Sequence, residues 1–162
     1  MTSPSLQYKL RPYQREDCEF LKARPFAGCF NEQRTGKTPT AIVSIAERGC
    51  EKTVVVCPKS ATYAWATEWA HWGKGPAVAL RGPTKQKQRA LENWNSSALI
   101  ISYGALKSTK SYEGLLSAIL KKNPNAVIVD EAHRIKDRNS ANAKAVFRLG
   151  AKAECRIALT GT

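Results

Sequence analysis

Residues 27–42 read AGCFNEQRTGKTPTAI, and their reading decides the fold. AGCF (27–30) is a short apolar run of strand type, and from Lys37 onward the pattern turns helical. Strand, loop and helix follow in quick succession. The loop contains Gly36-Lys37-Thr38, the core of a phosphate-binding pattern in which the lysine reaches terminal phosphates and the hydroxyl ligates Mg²⁺. The pattern's first glycine, five positions earlier, is Asn31 here, so an ordinary basic turn is the competing reading. Location favours phosphate, because the first turn of a helix presents unpaired N–H groups and the positive end of its dipole. Pro39 is accommodated there, since that turn has no internal N–H partner to lose.

Beyond this stretch, short β-rich runs alternate with helical ones. Strands are expected at AGCF (27–30), TVVVC (53–57), AVAL (77–80), ALIIS (98–102), AVIVD (126–130) and CRIAL (155–159). Helices are expected to begin near Lys37, Ser60, Thr84, Tyr112 and Ser140, several of them capped by Ser or Thr. Runs such as VVV and VIV lack polar alternation, which suits strands buried on both sides. An α/β domain follows, a parallel sheet covered by helices on both faces.

The run VIVDEAHRIKD (127–137) ends an apolar strand with two adjacent carboxylates. Nucleotide hydrolysis needs such a pair: Asp130 to hold Mg²⁺ together with Thr38, and Glu131 to orient and deprotonate the attacking water. An acidic loop after a core strand is the plainer alternative.

Composition bounds the rest. The 162 residues, 43% hydrophobic and 24% charged, suit one globular domain. No apolar run approaches the ~20 residues needed to span a bilayer, and the first residues lack a signal-peptide core. The five cysteines form no CxxC pair, and His71 and His133 have no ligand-spaced partner. Reduced structural thiols in an intracellular protein are expected, with no zinc site. Lysine and arginine number 26 against 13 acidic residues, a net +13 that implies a polyanionic partner, with a basic surface kept for solubility as the plainer alternative. The basic residues are spread along the chain, at KQKQR (85–89), KSTK (107–110), Lys121-Lys122 and RIKDR (134–138), so a fold rather than a tail displays them.

LRPYQREDCEFL (10–21), GKT, VVVCPKSATYAWATEWAHW (54–72), IISYGAL (100–106), VIVDEAHRIKDRNS (127–140) and IALTGT (157–162) together resemble the ordered motifs of superfamily two helicases. The resemblance is to the Swi/Snf branch of ATP-dependent DNA translocases with a DEAH box, including compact phage and bacterial forms. It spans nearly the whole chain and implies a single RecA-like lobe over residues 1–162, with residues 1–24 packed on it as an adenine-recognition segment. It also implies ATP and Mg²⁺ as cofactors, duplex DNA held by its backbone, a second RecA-like lobe, and a cytoplasmic setting, the host's if the gene is a phage's. By position, Gln14 would read the adenine edge while Arg11 and Tyr13 frame the base. Arg34, Thr35, Gly36, Lys37 and Thr38 would form the nucleotide loop, and Asp130 and Glu131 the magnesium and water-activating carboxylates. His133, Thr160, Gly161 and Thr162 would couple the nucleotide to the rest of the machine. Pro58, Lys59 and Ser60, with Ser102, Tyr103 and Gly104, would contact the nucleic-acid backbone.

Two departures stand out. Arg34 occupies a position where the family usually has glycine, so it either adds a phosphate contact or impairs the loop. Family members also continue past LTGT into a second lobe that supplies arginine fingers, whereas this sequence stops at Thr162. Such a finger contributes on the order of 10³ to 10⁵ in rate, so the isolated lobe is expected to hydrolyse ATP poorly and not to translocate. The rival reading is a shortened lobe that holds DNA or a protein without turnover. A small P-loop kinase is disfavoured, because nothing resembles an acceptor lid. Trp65, Trp69 and Trp72 form one helical stripe that either packs on the sheet, the preferred reading, or stacks on bases. Lys85, Lys87 and Arg89 make a basic helix with Trp94 downstream, either gripping phosphates or simply solvated. The roles of Arg134, Lys136 and Arg138 are open, and residues 1–5 are expected to fray.

Overall fold

A computed structural model describes residues 9–95, 97–106 and 113–161. The terminal segment 1–5, the KSTK run and Thr162 lie outside the described residues. The chain forms α1 (Pro12–Lys22), β1 (Phe26–Cys29), α2 (Lys37–Glu47), β2 (Lys52–Cys57), α3 (Thr62–Trp72), β3 (Ala77–Ala79) and α4 (Thr84–Asn93). It continues through β4 (Ser97–Ser102), α5 (Tyr103–Leu106), α6 (Glu113–Lys121), β5 (Ala126–Val129), α7 (Ala141–Gly150) and β6 (Cys155–Leu159). All six expected strands form, within a residue or so of their predicted ends. The five expected helices form too, although the one near Ser60 opens with a 3₁₀ turn, Lys59–Ala61, before α3 begins. Capping differs from expectation. The Ser140 side chain caps α7 by accepting the Ala143 N–H, whereas Gly36, Ala61 and Pro83 occupy the N-cap positions of α2, α3 and α4.

The strands pair in the order β1-β6-β5-β2-β4-β3, all parallel. The chain crosses the sheet from β1 through β2 to β3 and then returns through β4 and β5 to β6. Right-handed crossovers therefore place the helices of the outward journey on one face and those of the return on the other. On the first face Leu21, Ile42, Ile45, Trp65 and Trp69 cover Val55, Ile100, Ile128 and Ile157. On the second, Leu91, Leu116, Ile119, Val146 and Leu149 cover Val54, Val56, Leu99, Ile101 and Val127. Among the described residues, coverage fails at one edge: beside α7, the second face of β1 and β6 forms an open apolar groove of about 660 Å³ lined by Phe26, Phe30, Phe147 and Ala158. No helix among the described residues is long and apolar enough to cross a membrane.

Helix α1 lies outside the helices expected from the sequence pattern. Its inward positions are Gln14, Cys18 and Leu21, a helical spacing in which the first residue is polar, while Tyr13 and Phe20 lie exposed among charged residues. Pro12 suits its first turn, and the Gln14 side chain reaches back to accept the Arg11 N–H at 2.8 Å, half of a capping box. At its other end the Arg48 guanidinium donates to the carbonyls of Lys22 and Arg24 at 2.7 and 2.9 Å. Between these, Glu47 of α2 pairs with Arg15 at 2.7 Å and with Lys22 at 2.8 Å. Burial pushes the Glu47 carboxyl up, but the hydrogen bonds from Lys22 and Arg15 outweigh it and hold the group below its ordinary value of 4.5. A lowered carboxyl stabilises the fold above that value and loses its contribution as the pH falls through the folded-state value. Glu47→Gln is therefore expected to lower the melting midpoint by about 2 °C at neutral pH, the small effect typical of partly exposed pairs. The difference from the parent should shrink below pH 4.5, which thermal scans across a pH series would check.

Candidate functional site

Parallel pairing brings every strand's carboxyl end to one edge of the sheet, where ligands bind in open α/β folds. The loop after β1 carries two left-handed residues, Arg34 (φ 64°) and Gly36 (φ 78°). Gly36 heads α2, and no side chain caps that terminus, leaving first-turn N–H groups directed outward. The Lys37 ammonium is wrapped inside the loop, donating to the carbonyls of Asn31 and Glu32, each at 2.8 Å. Thr38 is half-buried in the same first turn. Asn31, at the position of the pattern's missing glycine, has its own task, since its side-chain amide donates to Asp17 of α1. An arginine in the left-handed region costs roughly 1–2 kcal/mol that glycine would avoid, and the exposed Arg34 side chain adds positive charge to the loop.

The first turn of α1 lies on this loop. Tyr13 Oη donates to the Thr35 carbonyl at 3.1 Å, and Gln14 Nε2 to the carbonyls of Thr35 and Gly36 at 3.4 and 3.3 Å. Tyr13 and Gln14, more than twenty residues from Lys37 in sequence, are thereby joined to its loop, and Arg11 adjoins Gln14 through its main-chain N–H.

Asp130 follows β5 directly, and its N–H donates to the Val56 carbonyl at 2.8 Å. Both carboxylate oxygens are held: Oδ2 accepts the Trp65 indole N–H at 2.9 Å and Oδ1 the Glu131 N–H at 2.9 Å. Burial raises the Asp130 carboxyl above its ordinary range, a rise opposed by the Trp65 and Glu131 hydrogen bonds and by the Lys37 charge. Glu131 is left-handed (φ 52°, ψ 51°), a conformation that turns its carboxylate away from the line of the strand. Its Oε2 lies 3.2 Å from His133 Nδ1, and that nitrogen lies 3.3 Å from Thr160 Oγ1 after β6. Gly161 then closes on the Lys37 loop: a side chain there would come within 2.8 Å of Gln33 Cγ and 3.5 Å of Lys37 Nζ. Thr162, expected to belong with these two, lies outside the described residues.

Further along the same edge, Lys59, Thr62, Arg81, Lys87, Ser102 and Ala105 line a polar cleft of about 320 Å³. Lys59, Ser60 and Gly104 are exposed and Pro58 is half-buried, leaving the 58–60 turn open to solvent on its polar side. Tyr103 differs from its neighbours: its ring is buried, and its hydroxyl donates to the Asp130 carbonyl. Its side chain therefore cannot lie against a nucleic-acid backbone. Trp65 and Trp69 are likewise buried, at 2% and 3% exposure, which removes them as base-stacking platforms and bears out the packing alternative. Trp94 is a core residue as well. Of the basic helix, only Lys87 lines the cleft, together with Arg81, whose guanidinium stacks 3.7 Å from the Tyr63 ring. No local sequence signal marks Arg81, because the fold alone brings its loop to Lys59. Arg134 stands 5.9 Å from the Tyr103 ring, and Lys136 and Arg138 are exposed.

Gly36 is required twice, by its left-handed backbone and by Gln14, whose side-chain amide occupies the space a Cβ would take. Gly36→Ala is expected to destabilise the protein by about 1–3 kcal/mol. Adding Gln14→Ala should recover the steric part but not the backbone part, a partial rescue that urea denaturation of the two variants would measure. Full additivity of the two costs would refute the contact.

Comparison with known proteins places these observations in context. Residues 13–162 match the SNF2-related domain. A RAD54-like DNA repair and recombination protein of Drosophila erecta is 30% identical over 189 residues, covering all of this chain and 23% of the relative. The DNA annealing helicase and endonuclease ZRANB3 of Homo sapiens is 29% identical over 159 residues, covering 97% of this chain and 15% of that protein. The chain thus spans a quarter or less of the curated relatives it matches. Among solved structures, the Hef helicase domain of Pyrococcus furiosus superposes with a TM-score of 0.67 at 16% identity, over 94% of this chain and 33% of that one. That likeness establishes a RecA-like fold. With a family match over almost its entire length and that fold beneath it, the chain belongs to the SNF2-related domain family.

Proposed function

We propose that this chain is the ATP-binding lobe of an ATP-dependent DNA translocase of the Swi/Snf type. The observation that carries the reading is the convergence at one sheet edge of a lysine-bearing loop on a helix N-terminus, a held Asp130-Glu131 pair, and the Thr160-Gly161 strand end. The ligands fit the residues present. Uncapped N–H groups and the Lys37 ammonium suit phosphate oxygens, and a half-buried carboxylate whose charge is disfavoured by burial suits a divalent cation.

In this reading Thr38 and Asp130 hold Mg²⁺, which when bound neutralises charge on the phosphates. Lys37 leaves the carbonyls of Asn31 and Glu32 to reach those phosphates, and Arg34 adds a contact from the loop. Glu131 takes the proton of the attacking water on a carboxylate oxygen, and His133 relays its position to Thr160 and Gly161. Arg11, Tyr13 and Gln14 receive the adenine. Lys59, Ser60, Ser102 and Gly104, with Arg81 and Lys87, hold duplex DNA by its phosphates, a contact that needs no base reading and agrees with the +13 charge. Efficient hydrolysis and movement require a second RecA-like lobe, whose arginine completes the site.

Calorimetry of Mg-ATP binding to the parent and to Lys37→Ala tests the nucleotide half of this reading, with hydrolysis followed in the presence and absence of duplex DNA. Binding is expected in the parent and lost by at least tenfold in the variant, with slow turnover in both. DNA binding that persists without any nucleotide binding in the parent would favour a non-hydrolysing binding module instead.

A further inference from the structure

We propose that Trp65 and Tyr103 are positioning residues for Asp130, tying the carboxylate to the two turns at 58–60 and 102–104 that border the polar cleft. The inference rests on the proposed function for the identity of the metal ligand, but its geometry stands independently.

Trp65 lies in the first full turn of α3, directly after the Lys59–Ala61 turn, and its Nε1 donates to Asp130 Oδ2 at 2.9 Å. Tyr103 opens α5 directly after β4, and its hydroxyl donates to the Asp130 main-chain carbonyl. One group fixes the side chain and the other the peptide. With the Glu131 N–H on Oδ1, each carboxylate oxygen accepts one hydrogen bond and keeps lone-pair capacity for a cation. A carboxylate so held cannot rotate, and such outer partners orient metal ligands in general.

Packing alone does not account for this arrangement. Trp69, on the same helical stripe and equally buried, gives its indole N–H to the neutral Ser97 hydroxyl at 3.0 Å, which satisfies a core tryptophan. Trp65 gives its N–H instead to the half-buried carboxylate of Asp130 at the carboxyl edge of the sheet. The two donors also come from different strand crossovers, after β2 and after β4, yet meet on one residue after β5, the strand paired to β2. A displacement of either turn by bound nucleic acid therefore moves a group hydrogen-bonded to Asp130.

The test uses Mn²⁺ as probe, its binding in the presence of saturating ADP followed by electron paramagnetic resonance. Trp65→Phe keeps the ring packing and removes the N–H, while Tyr103→Phe removes only the hydroxyl; Asp130→Asn serves as reference. Each Phe variant is expected to weaken Mn²⁺ binding by about 10-fold, within the range found for lost outer-shell partners, and Asp130→Asn by more. Metal-free ADP affinity should stay at the parent value, a readout that general loosening of the fold would not spare. Parent-like Mn²⁺ affinity in both Phe variants, with loss in Asp130→Asn, overturns the positioning role and leaves the proposed function standing. Parent-like affinity in Asp130→Asn overturns the metal assignment and this inference with it.

Discussion

Strand β2 carries the architecture. Val54, Val55 and Val56 pair with β4 on one side and β5 on the other, and all three are fully buried. A strand so enclosed must satisfy its backbone entirely through parallel neighbours, and parallel neighbours must be joined by crossovers rather than hairpins. From that constraint follow the helices on both faces and the alignment of all carboxyl ends at one edge. The Asp130 N–H bond to the Val56 carbonyl extends the same ladder one residue beyond β5 and sets the height at which the carboxylate stands.

The edge so formed is a place of stored cost. Asp130 is held partly out of water against its preference for charge, Glu131 and Arg34 sit in left-handed conformations, and Lys37 turns inward onto its own loop. The buried carboxylate and the left-handed residues are unfavourable for the fold by themselves, and in the proposed function this edge is where a polyanion and a cation are received together. By contrast, the apolar groove at the β1–β6 edge contains neither Lys37 nor Asp130 nor Glu131, and is the part of the sheet least covered by the described helices.

The basic charge divides in the same way. Much of it is spread over exposed surface, but Lys59, Arg81 and Lys87 meet around Ser102 in a cleft adjoining the Trp65 and Tyr103 hydrogen bonds to Asp130. A net +13 raises the local concentration of any polyanion without choosing its position. In the proposed function the cleft, next to the turns that grip the carboxylate, supplies that position.

The sequence by itself determined the class of fold, the six strands, the Gly36-Lys37-Thr38 turn at the start of a helix and the adjacent carboxylates at a strand end, because these depend on local periodicity and on residue types that few other contexts require. It did not reveal α1, whose inward face begins with a glutamine and which is tied down by Glu47 at the end of α2 and by Arg48 just after it. Nor did it reveal that Tyr103 turns inward, that Trp65 holds Asp130, or that Arg81 joins Lys59. Those are decided by which strands lie side by side, and strand order is a long-range property: β2 meets β5 across some seventy residues of chain that no local pattern spans.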